Sequence, residues 1–400
     1  MTIATFSFSR KAVSRHRILG VACGAHAVHD GFTDTLYLLL PIFQTEFALS
    51  YAAIGVLRAF YTGAMAGLQV PASKLAEKVG AGTMLAGGTA IAGASYLCLG
   101  LANSVFLLAA ALVLGGIGSS TQHPIASSLV ANEYEGRHSR AALGTYNFAG
   151  DLGKMALPSI TAALITIITW RHAASTIGLI GLAAAAAIAV LLRHRDTPEV
   201  ATAAEAAGKA AAVATADPPR GGFPLLLSIG VIDSATRMGF LTFLPFLLRA
   251  KGAGMPEIGL ALTLLFAGGA AGKLVCGFLG ARLGVMTTVF LTEGGTALGI
   301  MALLPLPLVP AFALLPLLGI ALNGTSSVLY GTVPELVPTE RRDAAFGLFY
   351  TGTIGAGALS PAIYGLFSDA IGLTSGMLLV ATMVLLTLPL AYRLRRFLAD

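Results

Sequence analysis

The chain has 400 residues, of which 56% are hydrophobic and 11% charged, against about 25% charged in a soluble domain. That composition excludes an ordinary soluble fold and specifies a polytopic membrane protein. The net charge of +6 comes from Lys and Arg in short loops, so it reports orientation in a bilayer and gives no support to nucleic-acid binding.

Met1 to Arg17 is basic, and the apolar stretch after it contains two Asp and two His and is too long for a signal-peptide core. It is expected to be retained as the first span. Within this span, residues 18–41, the polar positions are His26, His29, Asp30, Thr33 and Asp34. They advance by three, one, three and one, which stacks them as one stripe on a helix of 3.6 residues per turn. A carboxylate inside an otherwise lipid-compatible span normally faces a bundle interior or a watery cavity. The stripe therefore points to a transport pathway, with a structural ion pair to a neighbouring helix as the alternative.

Eleven further segments approach the twenty or so apolar residues that cross a bilayer: 53–73, 82–102, 105–130, 141–168, 172–192, 224–248, 257–280, 286–305, 309–333, 342–368 and 373–393. Between the sixth and seventh spans the chain is rich in Ala, Pro, Glu and Lys, and reads as a flexible linker. The domain organisation that follows is a six-helix half over residues 1–192, a cytoplasmic linker over 193–223 and a second half over 224–400. Cys23, Cys98 and Cys276 lie in apolar segments without metal spacing, and are expected to be small buried hydrophobes. Of the 25 Lys and Arg, 18 fall on the side of the N-terminus, 3 on the other side and 4 within spans. By the positive-inside rule both termini are cytoplasmic.

The halves carry an internal repeat. Pro41, Gly55 and Gly80 recur 204 positions later as Pro245, Gly259 and Gly284, and Gly116, Ala141, Gly144 and Pro158 recur 203 later as Gly319, Ala344, Gly347 and Pro361. Six spans per copy put the second half in the same orientation as the first. The fold class is thus an all-α polytopic membrane protein of twelve helices in two parallel six-helix pseudo-repeats.

The second-to-third loop, Leu75-Ala76-Glu77-Lys78-Val79-Gly80, and its repeat, Leu279-Gly280-Ala281-Arg282-Leu283-Gly284, resemble the cytoplasmic loop signature of the major facilitator superfamily. Glu77 stands where Asp is more usual, and Ala281 where the second copy of the acid would be. The resemblance implies the major facilitator fold and a gating role for Glu77, Lys78, Gly80, Arg282 and Gly284. A narrower set, His26-x-x-x-Asp30, Leu40-Pro41, Ala48-Leu49-Ser50 before Ile54-Gly55, His123-Pro124, and Gly150-x-x-Gly153 before Pro158, is similar to the fosmidomycin-resistance type of drug exporter. Leu157 stands where antiporters of this type usually carry Gly.

Gated transport needs charges that bind solute or proton differently in two open states. The intramembrane basic residues are Arg58, Lys154, Arg237 and Lys273, and the acids Asp30, Asp34, Asp151, Asp233 and Glu293. Their near balance argues for pairing. Asp30 is the first candidate for a proton-coupled step, with His26 and His29 as relay groups and Asp34 and Asp151 as further acids; the alternative is that Asp30 stays bridged to Lys154. Arg58, Arg237 and Lys273 suit an anionic or phosphonate-like solute, although Lys273 could instead snorkel to the headgroups. His123, Asn147, Lys154 and Asp233 complete the polar lining, and Tyr61, Tyr146, Phe148, Phe240, Tyr330 and Tyr350 are candidate walls or simply packing. His26-Ala-Val-His29-Asp30 could also be read as a metal site in a carrier or membrane enzyme, but it lacks the glutamate of His-Glu-x-x-His. No phosphate-binding loop or serine-hydrolase elbow is present.

The reading is a non-enzymatic secondary transporter without cofactor in a bacterial-type inner membrane. It is expected to act as a monomer, with a small solute, protons and lipid as its partners. Proton-coupled efflux of an amphipathic or anionic compound is the first mode, and symport of an organic anion into the cell the second.

Overall fold

A backbone crossing hydrocarbon must satisfy its own N–H and C=O groups, and a helix does so within one segment. The computed structural model of the chain is accordingly helical, with no strand among the described residues, which are 10–134, 136–193, 221–338 and 341–398. In chain order the spans are α1 (Arg10–Glu46), α2 (Tyr51–Val79), α3 (Ala81–Leu101), α4 (Val105–Glu133), α5 (Gly136–Ile165), α6 (Trp170–Leu192), α7 (Phe223–Ala250), α8 (Met255–Gly280), α9 (Arg282–Leu303), α10 (Leu308–Leu336), α11 (Arg342–Ile371) and α12 (Leu373–Phe397). Nine of these are long and apolar enough to cross a membrane by length and composition. The less apolar three are α1, α2 and α5, which carry Asp30, Arg58 and Asp151 inside them. The linker expected over 193–223 falls almost wholly outside the described residues.

Several helices run beyond the apolar stretches expected for them, because the membrane limits only the hydrophobic part of a helix. Two are broken. α4 turns at Ser120–Thr121 and α12 at Leu385–Leu386, four residues before Pro124 and Pro389, whose missing N–H groups remove the α-helical donors to the Ser120 and Leu385 carbonyls; Leu385 accepts instead from the Leu388 N–H at 3.1 Å. α2 passes into α3 at Gly80 (φ 89°), and the near-continuous run of α8 and α9 kinks at Gly284 (φ 79°), two residues into α9. Both backbones lie where only glycine is unstrained, so the repeated glycine marks a repeated turn. The cysteines depart from expectation: Cys276 is buried, Cys23 half-buried and Cys98 exposed, and all three are free. An apolar side chain gains nothing by burial when its surroundings are lipid.

The apolar packing of the described residues falls into three clusters. One is shared by all the central helices at the end away from the start of α1, and includes Leu36, Leu40, Phe43, Phe240, Leu244, Leu265 and Leu315. The other two lie at the opposite end and do not mix: Ile18, Ala76, Ile125 and Ile188 belong to the first six helices, and Phe223, Leu329, Val333 and Ala391 to the last six. A cleft therefore opens between the halves on the side where α1 begins and α12 ends.

Polar contacts between the halves seal the far end. Asp369 accepts from the N–H groups of Tyr51 and Ala52 at 2.8 and 2.9 Å, an anion on the first turn of α2. Arg249 donates to the Pro41 carbonyl at 2.9 Å and to Thr45 Oγ1 at 3.0 Å. Close helix approaches flank these contacts, and they follow the repeat: a Cβ on Gly55 of α2 would strike the Pro361 backbone of α11, and one on Gly259 of α8 would come within 2.6 Å of Ala162 Cβ and 3.6 Å of the Pro158 carbonyl of α5.

Gly55→Val is therefore expected to hold this end open, since its Cβ meets backbone, which cannot rotate away. With Leu241→Cys as reporter in a cysteine-free background, labelling by an impermeant maleimide from the sealed side should rise about tenfold, a shift of ~1.4 kcal/mol in the open population. Labelling equal to that of the Gly55 parent would show that α2 and α11 do not form the seal.

Candidate functional site

The stripe on α1 faces the cleft, and Asp30 is its centre. Asp30 is 6% exposed. Its Oδ2 lies 3.3 Å from His26 Nε2 and 3.2 Å from Lys154 Nζ, and its Oδ1 lies 3.8 Å from His123 Nε2. Space for this arrangement comes from α5: a Cβ on Gly150 would lie 2.7 Å from His26 Cε1 and 2.8 Å from Asp30 Oδ2, and one on Gly153 would overlap the Ala27 carbonyl. The Gly150-x-x-Gly153 pair thus lets the α5 backbone lie directly against the stripe. The break in α4 brings in His123, whose ring meets those of His26 and His29 edge-on at 5.2 and 5.3 Å.

His26 is held by Nδ1, 2.8 Å from the Tyr146 carbonyl oxygen, with its ring stacked on Tyr146 at 4.1 Å. A carbonyl has no hydrogen to give, so Nδ1 carries one and donates it. Nε2 then meets Asp30 with a lone pair unless the pair holds one more proton, either as imidazolium with carboxylate or as imidazole with carboxylic acid. The ligand atoms of His26, Asp30 and His123 also lie within 4.8 Å of one another, with the Lys154 ammonium 3.2 Å from Asp30 Oδ2, a positive charge that opposes a cation bound beside it.

From Asp30 the charges continue across the cleft. Lys154 lies 3.8 Å from Asp151 one turn away on α5. Lys273 of α8 donates to both Asp151 oxygens at 2.6 and 2.7 Å, so this lysine is turned inward to a carboxylate of the other half and does not snorkel. Arg58 is 3% exposed. Its guanidinium lies 4.4 Å from the Tyr37 ring and 5.3 Å from that of Tyr61 and donates from Nη2 to Tyr37 Oη at 3.0 Å, while Nε and Nη1 have no hydrogen-bond partner. Tyr61 is fixed by Ser119 and Thr33 at 2.7 and 2.9 Å. On the facing half, Ser326 donates to Asp233 Oδ2 at 3.0 Å, and Arg237 stands one turn along α7.

Two adjoining cavities occupy the cleft. One, of about 310 Å³, is lined by Asp30, Asp34, Arg58, His123, Asp151, Lys154, Arg237 and Lys273; the other, of about 400 Å³, by Asp233, Arg237, Tyr330 and Tyr350. Thr62, Met65, Arg237, Met238 and Ser326 border both. These sizes suit a small solute.

Not every residue of the sequence reading lies on this surface. His29 is buried behind His123 with Nε2 unpartnered, and Tyr61 stands in the second layer. Asn147 is exposed and borders neither cavity, as is Phe148, because the face of α5 that meets α1 is the one through Gly150 and Gly153. Phe240 is fully buried in the shared core. Glu77, Lys78 and Arg282 are exposed, and Arg282 lies over the Phe278 ring at 4.3 Å. Sequence reasoning missed Tyr37, Thr62 and Ser326. Each had a signal at helical spacing: Tyr37 extends the α1 stripe by three, Thr62 follows Arg58 by four, and Ser326 precedes Tyr330 by four.

Two groups of six helices sealed at one end, with a charged, water-accessible lining at mid-depth, define the architecture of a secondary transporter. The Major Facilitator Superfamily profile matches residues 22–230 and 225–398, and the chain belongs to that family. It is 27% identical over 383 residues to the fosmidomycin resistance protein of Escherichia coli (strain K12), with 90% of this chain and 88% of that one covered. It is 25% identical over 384 residues, with the same coverage, to the probable sulfoacetate transporter SauU of Cupriavidus necator. Among solved structures, the bacterial homologue of the human lysosomal transporter Spinster, inward-facing and unoccupied, superposes with a TM-score of 0.79 at 18% identity, covering 96% of this chain and 98% of that one.

Proposed function

We propose that the protein is a proton-coupled exporter of a small anionic or amphipathic compound, working by alternating access between two six-helix halves, 1–192 and 224–400. The observation that carries this reading is the pairing at Asp30: with His26 Nδ1 committed to the Tyr146 carbonyl, a His26–Asp30 contact calls for one exchangeable proton. When Asp30 gains that proton it loses its charge, and Asp151 becomes the carboxylate within contact distance of Lys154. Asp151 is the residue held by Lys273 from the other half. A proton at Asp30 therefore sets two ammonium groups in competition for Asp151, a carboxylate that bridges the halves at mid-depth, which is how protonation would change their relative stability in the two open states. Arg58, with two free nitrogens, and Arg237, at the junction of both cavities, are the anion-binding groups. His123, Lys154, Tyr330 and Tyr350 shape the remainder of the solute site. His29, Asp34 and Asp233 tune its charge.

The Lys and Arg bias places both termini and the 193–223 linker in the cytoplasm of a bacterial-type inner membrane. On that orientation the cleft faces inward, with Glu77, Lys78, Gly80, Arg282 and Gly284 at the rim that closes in the outward state. One chain by itself lines both cavities, which supports a monomer as the working unit.

The second reading, proton-linked import of an organic anion, draws on the name of the sulfoacetate transporter relative and on the same cations. Proteoliposomes separate the two. With sulfoacetate, fosmidomycin and a panel of neutral and cationic drugs, export by exchange moves protons opposite to solute, and symport moves them with it. Solute flux with no change in internal pH would sink both.

A further inference from the structure

The buried charges do not balance, and the imbalance has a location. Five carboxylates, those of Asp30, Asp34, Asp151, Asp233 and Glu293, share the membrane interior with four cations, Arg58, Lys154, Arg237 and Lys273. In the first half and across the cleft, Lys154 and Lys273 serve Asp30 and Asp151, and Arg58 borders the same cavity as Asp34. The second half is left with two acids, Asp233 and Glu293, and one base, Arg237. Glu293 sits midway along α9, 1% exposed, and borders neither cavity. Neither of its oxygens makes a hydrogen bond of good geometry. The ionisable groups that face it are Asp233 and Arg237 of α7; α10 adds the Thr325 hydroxyl, which is itself directed to Thr292 at 2.7 Å. Lys273 of α8 is turned to Asp151, and the charged residues of α12 lie at its end, near Arg393.

An isolated ionised carboxylate in such a place is far costlier than its neutral acid, and one guanidinium cannot neutralise two of them. We propose that Glu293 and Asp233 share a single proton, forming a second proton-binding site that lies behind the cavity wall of the second half and is separate from Asp30. Asp233 is the member that reaches water, since it borders the larger cavity and accepts from Ser326. Glu293 is the member out of water, and it holds the proton while Arg237 balances Asp233.

Infrared difference spectroscopy of the purified full-length protein at neutral pH reads this directly, without any solute. The wild type should show the carbonyl stretch of a protonated carboxylic acid that shifts in D₂O. Glu293→Gln should remove that band at unchanged folded yield, because a neutral amide replaces a neutral acid. Asp233→Asn should remove it too, since Arg237 is then free to balance an ionised Glu293. Asp30→Asn should leave it in place, which keeps this result independent of whether Asp30 carries the coupled proton. A spectrum unchanged by Glu293→Gln, a band that survives Asp233→Asn, or a collapse of yield in Glu293→Gln, the mark of an ionised partner for Arg237, would each overturn the proposal.

Discussion

In proteoliposomes with an imposed pH gradient, Asp30→Asn is expected to lower gradient-driven transport on the order of 100-fold, equivalent to ~2.7 kcal/mol of barrier, while equilibrium solute binding stays close to that of the parent. The amide keeps the shape of the acid. It can donate to the His26 Nε2 lone pair as a protonated acid would, so the variant imitates one protonation state and never leaves it. Lys154 remains beside Asp151, so the fold keeps a partner for the buried ammonium and the purified yield should hold. The measurement is initial solute flux with and without the gradient, alongside direct binding. Flux that still accelerates with the gradient would move the coupled proton off Asp30, and Asp151 would be the next residue to test.

Substitution at Arg237 should grade the solute's charge. The guanidinium borders both cavities, and its Nε is buried without a hydrogen-bond partner, so the group is not fully engaged by the protein. Arg237→Lys keeps the charge and loses the two-pronged geometry, and should weaken binding of an anionic solute about tenfold, the worth of one charge-assisted hydrogen bond. Arg237→Gln removes both and should weaken it on the order of 100-fold or more, as expected when one member of a buried charge pair is deleted. If Arg237 serves only to neutralise Asp233, the pattern differs: Gln lowers the folded yield, and Asp233→Asn in the same chain restores it. Equal affinity in all three forms would remove Arg237 from the site. Isothermal titration with sulfoacetate as the probe anion, together with the yield of each variant, covers all of these outcomes.

The helices were legible because bilayer thickness writes itself into the sequence as runs of apolar residues, and the α1 stripe because its polar positions follow the helical period. That period says which residues share a face, but not what the face meets. His29 belongs to the stripe yet packs behind His123, since neighbours on a helix differ by about 100° in direction. Asn147 shares a face with Asp151 by spacing, yet the glycines at 150 and 153 decide which part of α5 reaches α1. Pairings between helices were less accessible still. Asp151 and Lys273 are 122 residues apart, and nothing local to Lys273 separates an inward partner from a headgroup. Glu293 announced itself only as an intramembrane acid, with no polar companions at helical spacing strong enough to name its role.

The contacts Gly55 with Pro361 and Gly259 with Pro158 join corresponding surfaces in exchanged order: α2 of the first half meets α11 of the second as α8 of the second meets α5 of the first. Such an interface is self-complementary, the kind that a protein makes with an identical copy of itself about a two-fold axis. A six-helix ancestor could have closed this end as a homodimer, before any fusion of two copies. In a dimer, every acid placed on one subunit appears on both, so proton and solute sites come in equal pairs. Fusion lifts that restriction. In the present chain Asp30 of α1 has Ser234 at its repeat position 204 residues on, and Asp233 and Arg237 of α7 have His29 and Thr33 at theirs. Backbone packing retains the two-fold symmetry, and the charges have divided into unlike halves.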